Sequence, residues 1–255
     1  MQDEVEDVLN FPRLSVVCAV RNSAYCVQGL LDSYRRERSA TTELIVVDAL
    51  STDGTTELLQ ANQDIINCLV IEEDDGIYDA WNKAVRLSRG IYVSFIGADD
   101  RIAPGALKEL CSAVQDNPGR ELIYGFNVHT VSGVPVGLQG QPFIRERMQI
   151  NQMLAHVMAA HRRQWIIDSG MFDKCFRSSG DYDFLLRNRS SMTVKQIDAV
   201  LAYVEDGGIS RRAWWPFFET RDARRRNGMS WFLANALLLR ALVGRLGRLL
   251  LGLRI

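Results

Sequence analysis

A chain of 255 residues that is 47% hydrophobic and 24% charged holds enough apolar side chains for one sizeable domain with its own core, which excludes disorder along its whole length. Its formal net charge of −1 conceals a split, because residues 211–255 carry ten Arg and no Lys against only Glu219 and Asp222, a surplus of eight positive charges that leaves residues 1–210 near −9. An acidic body needing a cation before it can hold phosphates, joined to a basic segment suited to an anionic surface, is one reading of that split; a basic helix that simply pairs with the body is the other. The five cysteines are odd in number and share no ligand-like spacing with the three histidines, so they read as reduced thiols. Residues 1–13 form an acidic extension with no apolar core of a signal or transit peptide, and together these features predict a cytoplasmic chain.

From Leu14 to about residue 128, short apolar runs alternate with amphipathic stretches, the pattern of parallel strands joined by helical crossovers. The runs are Leu14–Val20, Leu44–Val47, Cys68–Ile71, Ile91–Ile96 and Leu122–Phe126, each too short for a helix. After Gly76, a helical face of Ile77, Ala80, Trp81, Ala84, Val85 and Ser88 should pack on the sheet through Trp81. Pro104 suits the first turn of a helix running through Gln115. Gly133, Pro135, Gly137, Gly140 and Pro142 then punctuate a hairpin and a loop, followed by a helical run over 181–188, a strand over 194–204 and a chain reversal at Gly207-Gly208. The domain is thus expected over 14–210, with a binding half at 14–128 and a second half at 129–210.

The tail, residues 211–255, opens on Trp214-Trp215-Pro216-Phe217-Phe218 and an arginine cluster. Arg240, Arg245, Arg248 and Arg254 break its apolar stretch, so a spanning helix, which needs ~20 mainly apolar residues, fits poorly. A surface-lying helix on an anionic membrane fits better; a helix that forms a homodimer and one packed within the chain are the other readings. No nucleic-acid-binding motif accompanies the basic residues, and no such partner is expected.

Polar residues stand where the predicted strands end, the place where open α/β sheets bind ligands. The first strand ends in Val20-Arg21-Asn22 and the second in Asp48, an acid suited to accepting hydrogen bonds from a ribose or base; Ser51, Thr52 and Asp53 suit the cap of the next helix. The fourth ends in Gly97-Ala98-Asp99-Asp100, whose two carboxylates suit a hard cation such as Mg²⁺ or Mn²⁺, which takes one or two carboxylates plus substrate phosphates.

Ile45-Val46-Val47-Asp48 followed by Ser51-Thr52-Asp53-Gly54-Thr55, then Asp74 to Lys83, then Phe95 to Asp100, resemble the inverting family 2 glycosyltransferases of GT-A fold. His156, Asp181 to Arg187 and Gly207 to Ser210 continue the resemblance weakly. It implies an α/β, Rossmann-like and mostly parallel sheet with helices on both faces, followed here by the basic helical tail. It also implies a nucleotide-sugar donor, a divalent metal and an acceptor such as a glycan or lipid-linked glycan at the inner face of the cell membrane. Carried over by position, the donor contacts are Val20, Arg21, Asn22, Asp48, Asp74, Asn82, Ala98 and Asp99. The metal falls to Asp99 with Asp100 beside it, and Gly97 departs from the first acid of the family's D-x-D pattern. Asp181 matches the catalytic base, with Asp183 as its competitor; two positions apart on one helix, the two face different ways. His156 is read either as a donor or acceptor contact or as structural, and Ser210 either as a donor contact or as a cap. A sugar nucleotidyltransferase would share the sheet, but the segment Ala19 to Ser23 lacks the glycine-rich loop such an enzyme carries. A non-catalytic scaffold of the same fold is the remaining alternative.

Overall fold

Leu14, Val16, Cys18 and Val20 face one side of the first strand, β1 (Leu14–Val20), and Val17 faces the other, the two-residue period of a strand covered on both faces. The computed structural model describes residues 12–151, 154–206 and 213–250, apart from the side chains of residues 248 and 249. β1 pairs in parallel with β2 (Thr42–Asp48) and β4 (Tyr92–Ile96), and β2 with β3 (Cys68–Ile71), so these strands end along one edge, with Val20 opposite Asp48 and Asp48 opposite Ile71. Beyond β4 the sheet turns mixed. β8 (Ala160–Arg162) joins antiparallel, followed by β6 (Leu122–Val131), β9 (Val194–Glu205) and the short β5 (Arg101–Ile102), while β7 (Val134–Gln139) hangs from β6.

Helices α1 (Val27–Glu37), α2 (Thr55–Ala61) and α4 (Ala106–Asp116) cover one face of the sheet. Helices α3 (Ile77–Leu87), α5 (Arg163–Asp168) and α6 (Gly180–Asn188) cover the other, joined there by Ala223 of α7 (Trp215–Arg226). The expected packing of α3 holds through Trp81, whose ring stacks on Phe95 of β4 at 4.2 Å, but is corrected at the first turn, where Ile77 is exposed and Tyr78 is buried in its place. The placing of Pro104 in a first helical turn is corrected, because Gly105, at φ 78°, ends a turn closed by Ala106 N–H on the Ala103 carbonyl at 3.0 Å, and α4 starts only at Ala106. The hairpin is built as its glycine suggested. Ser132 and Gly133 both take positive φ, 51° and 76°, the two-residue turn whose twist matches the flanking strands. β6 outruns the expected Phe126 because β9 pairs with it as far as Thr130. The described part of the tail is two helices, α7 packed on α6 and α8 (Trp231–Leu250) packed on α7, with Gly228 at φ 90° between them.

At the opposite edge from the strand ends, Glu43 is buried and its carboxylate receives Ser15 Oγ (2.6 Å), Arg89 N–H (2.7 Å), Gly90 N–H (3.2 Å) and Arg89 Nε (3.1 Å). Buried donors that lose an acceptor cost about 1–3 kcal/mol. Glu43→Ala is therefore expected to lower stability by about that much in urea melts, while turnover per folded molecule stays at the wild-type level.

Candidate active site

The loops after β1 and β2 are knitted together by the polar segment that follows β2. Asp48 presents 0% of its surface to solvent; its Oδ1 receives Ser51 N–H (3.2 Å) and Ser51 Oγ (2.5 Å), and its Oδ2 receives Thr56 Oγ1 (2.5 Å). Ser51 Oγ in turn accepts Asn22 N–H (2.8 Å), and Asn22 Oδ1 accepts Thr52 N–H (2.9 Å). Asp53 holds Ala24 N–H (3.1 Å) and Thr55 Oγ1 (2.6 Å), and Thr55 Oγ1 accepts Ser23 N–H (2.7 Å). These bonds hold Asn22 at φ 50°, a left-handed conformation that asparagine tolerates better than most residues. Val20 is buried, whereas Arg21 and Asn22 are exposed at the rim. Asp74 stands beyond β3 at the same edge, its Oδ1 closing a turn on Gly76 N–H at 2.9 Å.

At the end of β4, a side-chain carbon at Gly97 would lie 2.9 Å from both Asp99 Oδ1 and Asp100 Oδ2, so two carboxylates crowd one point. Asp100 is buried, and its oxygens receive Gly97 N–H (3.1 Å) and Glu205 N–H (3.2 Å), which ties the strand end to β9. Burial first, then the charge of Asp99, pushes the Asp100 carboxyl up to about 7. Asp99 is only half-buried and, among the described residues, no donor reaches its carboxylate; it opens on a cavity of roughly 590 Å³ bordered by Tyr25, Cys26, Arg101 and the β6–β7 turn. Two acids that resist joint ionisation suit a divalent cation, which relieves their repulsion and completes its shell with substrate phosphates. Among the described residues no group of three His, Cys, Asp or Glu forms a cage, so the fit is to a cation shared with a ligand. Asp100 is committed to backbone, which leaves Asp99 as the carboxylate free to meet it.

Asp181 sits in the first turn of α6, with its side chain 16% exposed. Tyr78 Oη donates to its Oδ1 at 3.0 Å. Burial raises the Asp181 carboxyl, and bonds from Tyr182 N–H and the Tyr78 hydroxyl pull against it. His156 Nδ1 lies 3.8 Å from Asp181 Oδ2, too far for a hydrogen bond, and burial pushes this histidine down to about 4, so the pair is not ionic near neutrality. The His156 ring stacks near Trp81 (5.7 Å) and Phe95 (6.2 Å), and among the described residues its buried Nε2 and the Trp81 Nε1 meet no partner. Through Tyr78 and His156, Asp181 comes up against the ring layer on Phe95, the last residue but one of β4. Gly180 makes this approach possible: a side-chain carbon there would come within 2.7 Å of the Tyr78 ring.

Two expected site residues are drawn elsewhere. Asn82 is buried, its amide donating to the Phe172 carbonyl (2.9 Å) and accepting Phe172 N–H (3.0 Å), so it pins a loop rather than lining the strand-end cleft. Asp183 pairs with Arg187 (3.0 Å) and accepts Asn227 Nδ2 (2.9 Å) at a separate cavity. Ala98 is buried between Gly97 and Asp99; Ser210 lies outside the described residues. Tyr78 and Gly180 were missed by sequence reasoning. A tyrosine on a buried helix face, whose hydroxyl must find a partner, was the available signal.

The model of the family described as glycosyl transferase family 2 matches residues 15–176, ending short of Asp181. A PGL/p-HBAD biosynthesis glycosyltransferase of Mycobacterium bovis is 27% identical over 206 residues, 78% of this chain and 79% of that one. The putative teichuronic acid biosynthesis glycosyltransferase TuaG of Bacillus subtilis is 27% identical over 128 residues, 49% of this chain and 51% of that one. Among solved structures, S. aureus TarS 1-349 in complex with UDP-GlcNAc matches with a TM-score of 0.71 at 18% identity, over 89% of this chain and 70% of that one. The mannosyltransferase PcManGT of Pyrobaculum calidifontis, in complex with GDP-Man and Mn²⁺, matches with a TM-score of 0.63 at 18% identity, over 89% and 68%. These structural likenesses are of fold, and they bear out the GT-A architecture expected from the sequence.

Gly97→Asp would restore the spacing of a D-x-D motif, yet the new carboxylate would enter space already crowded by Asp99 and Asp100. The expected outcome is a lower melting temperature and weaker Mn²⁺ binding by titration; tighter binding would show that the crowding relaxes.

Proposed function

The chain belongs to glycosyl transferase family 2, and from that premise we propose that it moves one sugar from a nucleoside-diphosphate sugar to an acceptor hydroxyl with inversion at the anomeric carbon. What supports this reading is a burial-raised carboxylate, Asp181, beside the ring layer on β4, together with the acids Asp99 and Asp100 crowded at the end of that strand. In this reading Asp181, aimed by the Tyr78 hydroxyl, takes the proton from the acceptor oxygen as it attacks. Its raised pKa makes it a stronger base than an ordinary aspartate. The nucleoside lies against Val20, Arg21 and Asn22 on the floor stapled by Asp48, with Asp74 at the far side. A Mg²⁺ or Mn²⁺ ion, held by Asp99 with Asp100 behind it, would supply positive charge for the departing diphosphate. Solved neighbours bound to UDP-GlcNAc, or to GDP-Man and Mn²⁺, support that donor and metal class. Relatives named for PGL/p-HBAD and teichuronic acid biosynthesis support a glycan or lipid-linked acceptor in surface polysaccharide assembly.

The tail supports a peripheral place on the inner face of the cell membrane. No helix among the described residues is long and apolar enough to cross a bilayer. Along α8, Phe232, Leu239, Val243, Leu246 and Leu250 are exposed at helical spacings that set them in one stripe, and Trp231 is exposed where the helix begins. The opposite face buries Ala234, Leu238 and Arg245. Such spacing also suits a helical dimer, but α8 contains Arg and no acid, so a second copy would bring like charge to like, whereas anionic lipid complements it.

Asp181→Asn is expected to cut turnover ~10²- to 10⁴-fold. A nucleoside diphosphate at 100 times its Kd, with Mn²⁺, should still stabilise this variant by ~2.7 kcal/mol in a thermal shift. In the wild type, protonation of Asp181 should remove activity as pH falls, with the acid limb above the usual carboxylate range. Full activity in Asp181→Asn would end the base assignment, and the absence of any nucleotide shift would end the donor assignment. For the tail, sedimentation with phosphatidylglycerol vesicles but not with phosphatidylcholine vesicles is expected, and it should vanish in Leu239→Asp/Val243→Asp. Concentration-dependent dimerisation without vesicle binding would assign the stripe to a second copy instead.

A further inference from the structure

Glu219 is one of two acidic residues in the basic tail, and it faces the protein rather than the surface its neighbours suit. From α7 its Oε1 accepts Arg177 N–H at 2.9 Å, and its Oε2 accepts Ser178 N–H at 2.8 Å, Ser178 Oγ at 3.1 Å and Ser179 N–H at 3.1 Å. These three residues immediately precede α6, whose N-cap, Ser179, makes no capping bond with its own side chain; Ser179 Oγ meets Thr220 Oγ1 of α7 at 3.3 Å instead. At the other end of α7, Arg226 pairs with Asp173 at 2.8 Å and lies over the Phe176 ring at 4.9 Å. One helix therefore clasps both ends of the segment that leads into Asp181.

We propose that Glu219 is a positioning residue for Asp181, fixing where α6 begins and hence how its first-turn carboxylate meets Tyr78. The proposal rests on the reading of Asp181 as the base. Bonds to a carboxylate are roughly twice as strong as neutral ones, so this single side chain sets the position of three consecutive backbone N–H groups. The tolerance is small because Gly180 already touches the Tyr78 ring, and a misplacement of about 1 Å at a reacting group can cost ~10²-fold in rate.

The test compares Glu219→Ala, Glu219→Gln and Asp222→Ala, the other tail acid, which pairs with its neighbour Arg221. Turnover at saturating substrates is expected to fall roughly 10- to 100-fold in Glu219→Ala and less in Glu219→Gln, which keeps one acceptor oxygen, and to stay unchanged in Asp222→Ala. Donor KM and the nucleoside diphosphate thermal shift with Mn²⁺ should hold at wild-type values in all three. The acid limb of the pH profile should move to lower pH in Glu219→Ala, because a loosened Asp181 gains water. Wild-type turnover and an unmoved acid limb would overturn the proposal, as would a loss of turnover that tracks a loss of nucleotide response. Should Glu219→Ala fail to fold, an unshifted acid limb in Glu219→Gln would overturn it equally. Failure of the base assignment is read separately, from an active Asp181→Asn.

Discussion

A carboxylate taken out of water has to be surrounded by donors, and that requirement organises this molecule. Buried Glu43, Asp48 and Asp100, and with them half-buried Glu219 and exposed Asp53, each gather backbone N–H groups or hydroxyls from other segments. They work as staples: Glu43 at the start of the sheet, Asp48 and Asp53 in the loops after β1 and β2, Asp100 between β4 and β9, and Glu219 before α6. Against that background two acids differ. Asp99 has no donor among the described residues, and Asp181 has the Tyr78 hydroxyl but keeps an oxygen near a neutral histidine. Acceptor capacity left unspent at a strand end is what a cation or an acceptor proton can use.

The aromatic layer explains how Asp181 is held in poor solvent. Tyr78, Trp81, Phe95, His156 and Phe172 pack ring against ring, with centroids 4.2 to 6.2 Å apart. Two elements, α3 and β4, and two loops, the one before β8 with His156 and the one before α6 with Phe172, bring them together. The same layer depresses His156 and raises Asp181, because both shifts are led by the loss of water.

Much of this was legible before the fold was known. Five strands and the Trp81 helix announced themselves through periodicity, a local property that survives in the sequence. That Asp181 and Asp183 face different ways was legible for the same reason, since neighbours two apart on a helix cannot share a direction; which of them meets Tyr78 was not. What was hidden depends on partners far along the chain. Asn82 belongs to Phe172, 90 residues away, and Glu219 to Ser178, 41 residues away, so neither pairing leaves a local trace. The basic tail read as one amphipathic unit because charge is additive along a sequence. Folded, it divides: α7 enters the core through Ala223, while α8 turns its stripe outward.

That division has a mechanical side. Arg245 of α8 lies over the Trp214 ring at 4.4 Å and bonds to the Ala213 carbonyl at 2.6 Å, so the two tail helices are locked together near the end opposite their Gly228 turn. A helix of 20 residues is about 30 Å long, and here it is bolted to a clasp that ends at α6. Any plane on which α8 comes to rest is consequently held at a set height from Asp181. A chain growing up from that plane would be measured by the span it must bridge, and length would then enter acceptor choice alongside chemistry.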